Sequence, residues 1–153
     1  MKFEHLVEIN SPGNPAIAPL TRLQLWRGLV MRAENPTLFV PHLDDCDILE
    51  RTEAAVMRKL TYGNLVIHDR VTYLEHHQVR YHIAAQEEFS DSTLTMTIEE
   101  PRPTYLFVRF EYEDASSDEG ADAMYNSFRR SAYKESDIDT IQMIRELAAQ
   151  GRI

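Results

Sequence analysis

The sequence predicts an α+β fold, a meander of antiparallel strands with helices on one side. Three observations predict it. Residues 2–10 alternate polar and apolar side chains. The stretch from about Asp45 to Asp114 is cut by turn residues into short alternating runs. From about Asp122 to Gln150 the apolar residues recur at helical spacing. The expected order is strand, helix with a short helical turn, six strands, long helix, all within one domain spanning 1–153.

In the first strand Phe3, His5, Val7 and Ile9 share one face, and Lys2, Glu4, Leu6 and Glu8 the other. Ser11-Pro12-Gly13-Asn14-Pro15 is a loop. Pro19 to Glu34 follows as a helix with Leu23, Trp26, Leu29 and Val30 as its apolar stripe, ended by Asn35-Pro36. Leu38-Phe39-Val40 forms a short apolar piece before Pro41. Turns are expected at Gly63-Asn64, at Glu75-His76-His77, along the polar loop Gln86–Asp91, and at Glu100-Pro101-Arg102-Pro103. In the last helix Asp122 is placed to cap the start and Gly151 to end it. Its apolar positions are Tyr125, Phe128, Ala132, Ile138, Ile141, Ile144 and Ala148.

The 153 residues suffice for a sizeable core. Sixteen Lys and Arg stand against 25 Asp and Glu, a formal net charge of −9. That balance argues against nucleic acid, whose phosphates require a basic surface, and against electrostatic attachment to anionic lipid. The single cysteine, Cys46, excludes an internal disulfide and a thiolate metal cluster. Met1-Lys2-Phe3-Glu4-His5-Leu6 lacks the apolar region of a signal peptide, and no apolar run approaches a membrane span, so the expected location is the cytoplasm.

The sharpest feature comes from the first hairpin. With Gly63-Asn64 as a two-residue loop, Tyr62 faces Leu65, Leu60 faces Ile67, Arg58 faces Asp69 and Val56 faces Val71. This face is apolar except for one arginine and one aspartate placed opposite each other. A three-residue loop at 75–77 keeps the pattern, setting Tyr73 against Val79 and Val71 against Tyr81, with Ile83 beside Asp69. A slip of one residue would destroy both registers. Charged groups on a core face are paired or functional. Arg58 and Asp69 therefore either orient a polar group of a ligand in a cavity wall or form a buried ion pair that satisfies itself, unless the face is less buried than its pattern implies.

His5 is the other polar residue on an apolar face. It is either a core histidine bonded to a neighbour or a base or donor toward a ligand. Tyr62, Tyr73, Tyr81 and Tyr112 share the inward face and offer either hydroxyls to a ligand or aromatic bulk to the core. Met96 points inward and Met57 outward. His76-His77 and His82 lack metal-ligand spacing, and Asp44-Asp45-Cys46-Asp47 lacks the glycine of a calcium loop. No glycine-rich phosphate cradle or nucleophile motif is present, so neither catalytic residues nor a cofactor or metal is assigned. The loop from Asp114 to Gly120 is polar and precedes the long helix, either as a gate to a cavity or as a plain connection.

Four segments, Phe3-Glu4-His5-Leu6-Val7, Arg22-Leu23-Gln24-Leu25-Trp26, Met96-Thr97-Ile98-Glu99-Glu100-Pro101 and Leu106-Phe107-Val108-Arg109-Phe110, carry a resemblance covering essentially the whole chain. The sequence resembles the Bet v 1-like, START-related helix-grip superfamily, and within it the AtaL-like family. The resemblance implies a curved antiparallel sheet of about seven strands wrapped around a long C-terminal helix, with a cavity between. It also implies that the first strand lies beside the last, bringing His5 near Phe110 and Tyr112. The expected function is to hold a small hydrophobic or partly aromatic molecule. The alternative is a polyketide cyclase, aromatase or dehydratase using the same cavity. Candidate cavity residues are Arg58, Asp69, His5, Tyr81, Tyr62, Tyr73, Met96, Phe110 and Tyr112. The expected partner is a small apolar or amphipathic molecule, with the protein a monomer or a dimer.

Overall fold

A computed structural model describes residues 1–87 and 89–153. Glu88, within the expected Gln86–Asp91 loop, lies outside the described residues. Strand β1 (Lys2–Asn10) leads to helix α1 (Arg22–Glu34) and a single 3-10 turn, Pro36–Leu38. Six strands follow: β2 (Asp45–Arg51), β3 (Ala55–Tyr62), β4 (Leu65–Leu74), β5 (Gln78–Ile83), β6 (Ser92–Arg102) and β7 (Tyr105–Asp114). Helix α2 (Ala121–Ala149) completes the chain.

The seven strands form one antiparallel sheet in the order β1-β7-β6-β5-β4-β3-β2. Consecutive hairpins build β2 to β7, and β1 closes beside β7 with His5 opposite Phe110. Helix α1 therefore carries the chain from one edge of the sheet to the other, and α2 packs on α1 and β1. Both expected hairpin registers are present: Arg58 is opposite Asp69, and Val71 is opposite Tyr81. Pairing of β4 with β5 begins at Arg70 and His82, one step short of the Asp69–Ile83 position.

Three expectations need correction. Helix α1 starts at Arg22 rather than Pro19, because Thr21 and Gln24 form a capping box. The Thr21 hydroxyl accepts from Gln24 N at 3.0 Å, and the Gln24 side chain accepts from Thr21 N at 2.9 Å. Its buried face is Leu25, Trp26, Gly28, Leu29 and Ala33, which leaves Leu23 exposed. Strand β6 runs through Pro101 to Arg102, so the turn is Pro103-Thr104. The missing N–H of Pro101 falls where the register shifts between Glu99 and Arg102 and the ladder is already broken. The third correction concerns α2. Tyr125, Phe128 and Ile138 are exposed, Phe128 to 69%, while Asn126, Asp137 and Thr140 are buried in the same stripe as Ile141, Ile144 and Leu147. The start of α2 is capped by Gly120 rather than Asp122, which sits in the first turn. Its end follows expectation. Gly151 takes φ 69°, Arg152 N donates to Leu147 O at 2.9 Å, and Gly151 N donates to Ala148 O at 3.0 Å, closing a Schellman motif.

Met96, Val108 and Phe110 from the sheet meet Leu25 and Leu29 of α1 and Ile141 and Ile144 of α2 in the core. Met57 stays outside. The helices touch at Gly28, where a Cβ would lie 2.6 Å from Ile144 Cγ2. Gly28→Ala gains about 1 kcal/mol of helix propensity. It must also displace a buried branched side chain, which costs about 1–3 kcal/mol. The expected result is a lower melting temperature; an increase would show that the helices have room to part. Among the described residues no helix is long and apolar enough to cross a membrane.

Candidate functional site

The inward faces of β3, β4 and β5, the ends of β6 and β7, the second half of α1 and the middle of α2 line a partly open cavity of about 350 Å³. Leu60, Ile83 and Leu94 give it apolar walls, with Val40 and Leu43 from the segment after the 3-10 turn. Its polar groups include Arg32, Arg58, Asp69, three tyrosines from the sheet, Tyr133 from α2, and the paired Asp114 and Arg129. A larger concavity of about 980 Å³ lies under the 10–22 loop. Its Asn10 and Glu100 side chains are already engaged: the Asn10 amide bonds Leu20 O and Leu20 N, and Glu100 takes Arg22 and Thr104 N.

Arg58 and Asp69 border the cavity and are 4% and 6% exposed. Arg58 Nε and Nη2 donate to the two carboxylate oxygens at 2.8 and 2.6 Å. Its Nη1 donates to Ala33 O at 2.7 Å, one of the carbonyls left open at the end of α1. The pair thus holds the hairpin to the helix. Burial disfavours the Arg58 charge, but the bond and charge of Asp69 outweigh it and raise the guanidinium's pKa.

Tyr62, Tyr81 and Tyr112 also line the cavity. Tyr81 is 6% exposed, and its hydroxyl has no hydrogen-bond partner. The guanidinium carbons of Arg32 and Arg58 each lie 5.1 Å from its ring centroid. Burial pushes the Tyr62 phenol up. Tyr112 stacks on Tyr133, with centroids 4.0 Å apart, and donates to Asp137 at 2.7 Å. Burial, and the facing Asp137 carboxylate, push its phenol far above the ordinary range.

The other sequence candidates stand apart from the cavity. Tyr73 packs edge-on against Trp26 and donates to Glu34 at 2.9 Å; burial pushes its phenol up to about 12. Met96 and Phe110 are wholly buried in the core. His5 stacks on Phe110 and bonds Asp137 through Nε2 at 2.6 Å. Asp137 is fully buried. Burial pushes its carboxyl up, against the pull of its bonds to His5 and Tyr112.

Asp137, Arg32, Arg129 and Tyr133 are among the polar residues of this region that escape the sequence reading. Asp137 accepts from Tyr112 on β7 and bonds His5 on β1, and no local pattern marks it. Arg32 lines the cavity, and its Nε donates to Thr140 Oγ1 at 3.3 Å. A signal for Arg32 existed: it follows Leu25 by seven residues and Leu29 by three, on the buried face of α1. Burial works against the Arg32 charge, but Tyr81, Tyr112 and Asp137 outweigh it and raise its pKa. The Asp114–Gly120 loop borders the cavity at Asp114, which is paired with Arg129.

The model of the family described as acetylaranotin biosynthesis cluster protein L, AtaL, matches residues 7–151. No curated protein matches the sequence. Solved structures are similar in fold. The Zhui aromatase/cyclase from Streptomyces sp. R1128 is 11% identical with a TM-score of 0.63, over 98% of this chain and 94% of that one. Ara h 8.0201 is 11% identical with a TM-score of 0.61, over 95% and 98%. Human STARD10 is 8% identical with a TM-score of 0.66, over 97% of this chain and 65% of that one. The architecture is the helix-grip fold.

Proposed function

The chain belongs to the AtaL family, and from that premise and the cavity's geometry we propose that it holds a small, partly apolar molecule between sheet and helices. The observation that carries this is the Tyr81 hydroxyl, buried at the cavity wall without a partner. An unsatisfied buried hydroxyl costs about 1–3 kcal/mol, so a site that keeps one gains when a ligand supplies the missing bond. The volume supports the reading, since sites for drug-sized ligands begin near 300 Å³. Arg58 and Asp69 shape the wall rather than reach for the ligand, because their hydrogen bonds are directed to each other and to Ala33.

A second reading, chemistry of the aromatase/cyclase kind, is supported by the likeness to Zhui. Tyr112 is the acid–base candidate at the cavity, but its proton is already directed to Asp137. Binding without turnover is the simpler use of these groups.

N-phenyl-1-naphthylamine, a neutral dye that brightens in apolar surroundings, tests the reading. Uptake of one equivalent is expected in the native protein. Leu94→Trp, which fills the cavity, is expected to abolish uptake with an unchanged circular dichroism spectrum. No uptake by the native protein, together with a bare mass in native mass spectrometry, would mean that the space is not a binding site. Conversion of a bound compound into a product of different mass would favour the enzymatic reading.

A further inference from the structure

Resting on the cavity reading above, the geometry points to Arg32 as the group that recognises the ligand, and to a ligand carrying one oxyanion, a carboxylate or an acidic enol, on a flat apolar body. The charges around the cavity lead there. Among the described residues every other arginine that is not exposed has an acid or carbonyl partner. Arg22 pairs with Glu100, Arg58 with Asp69, Arg109 with Glu99, Arg129 with Asp114 and Arg130 with Asp118. Arg145 donates to the carbonyls of Ile9 and Ala18. Arg32 makes no ion pair among the described residues, and its one hydrogen bond, from Nε, goes to a neutral hydroxyl. Neither Nη group makes a direct hydrogen bond among the described residues, and the Tyr81 phenol is the polar side chain acting on the guanidinium from beside it.

Asp137, on the same stripe of α2 as Thr140, acts on Arg32 at longer range, and its oxygens are taken by Tyr112 and His5. A half-buried cation without a contact partner is costly unless something else pairs with it. The buried phenol of Tyr81 stands beside it, with the Arg32 guanidinium carbon 5.1 Å from its ring centroid. Together they present a guanidinium fork and a hydroxyl donor at one end of a cavity whose other walls include Leu60, Ile83 and Leu94. A neutral ligand would leave the Arg32 charge uncompensated; a dianion would exceed the single free positive charge.

Isothermal titration with 2-naphthoate and 2-naphthamide, which have the same shape and differ in charge, tests the assignment. The native protein is expected to bind naphthoate about 10- to 100-fold more tightly, the range for one charge-assisted hydrogen bond. Arg32→Met is expected to abolish that preference while still binding the amide. Arg32→Lys is expected to restore part of it, since the charge returns without the fork. Tyr81→Phe is expected to weaken naphthoate several-fold. Because Arg32→Met strands only the neutral Thr140 hydroxyl and no charged partner, its melting temperature without ligand is expected to stay close to that of the native protein. Equal affinity for the two compounds, or a preference that survives Arg32→Met, would overturn the assignment and leave the cavity reading standing. Uptake of N-phenyl-1-naphthylamine with no displacement by naphthoate would also overturn it. A protein that takes neither the dye nor the naphthyl compounds fails the cavity reading itself.

Discussion

Asp69→Ala is expected to destabilise the protein by about 3–5 kcal/mol, whereas Asp69→Ala combined with Arg58→Met is expected to cost far less. The asymmetry follows from burial. Arg58 and Asp69 are 4% and 6% exposed, so removing the carboxylate leaves a guanidinium in the wall with one remaining partner, Ala33 O. Replacing both residues removes the charge and keeps most of the volume with an apolar chain. The single change also weakens the grip on the last turn of α1, which carries Arg32 one residue before Ala33. Ligand affinity is therefore expected to fall with stability in Asp69→Ala and to recover in part in the double variant. Urea denaturation gives the comparison, provided the slope m is unchanged between variants. Small and equal shifts in both would mean that solvent reaches the pair.

The Arg58–Asp69 pair was legible in the sequence because two local rules agree on it. Gly63-Asn64 selects a two-residue loop, and the side-chain period of two then fixes every partner along β3 and β4. The helices were less legible because a wheel drawn from apolar residues assumes that the buried face is the apolar one. On α2 that holds for Ile141 and Ile144 but fails toward the N-terminus. There Asn126 is buried by donating to Ser117 O at 2.8 Å, and Asp137 by accepting from Tyr112 on β7 and bonding His5 on β1. Tyr125 and Phe128 are left to solvent. On α1 the capping box at Thr21 and Gln24 was readable and fixes where the helix begins. Placing the start at Pro19 and the stripe on Leu23 hid the face that holds Arg32. His5 lies 132 residues from Asp137, a distance that no local spacing rule spans.

Asp137→Ala is expected to be the second severe substitution, at about 2–4 kcal/mol, because it removes the hydrogen-bond partner of two groups at once. The Tyr112 hydroxyl and His5 Nε2 both lose their partner, and the side chain between them is fully buried. Asp137→Asn keeps an acceptor oxygen and is expected to cost less. The pH dependence of that variant gives a sharper test. Burial raises the Asp137 carboxyl in the fold, against the opposing pull of His5 and Tyr112. A group whose folded pKa lies above its unfolded value, near 3.9 for aspartate, contributes stability that is fully present below that value. The contribution is lost as pH rises through the folded pKa. The native protein thus loses part of the Asp137 contribution on going from acid to neutral pH, and Asp137→Asn has none to lose. The destabilisation caused by Asp137→Asn is therefore expected to be larger near pH 4 than near pH 7. Denaturant titrations of both proteins at the two pH values decide it. A gap that widens toward neutral pH would mean that the carboxylate is held in its charged form. The buried centre of the sheet–helix contact would then hold a charge, as the cavity wall does at Arg58 and Asp69.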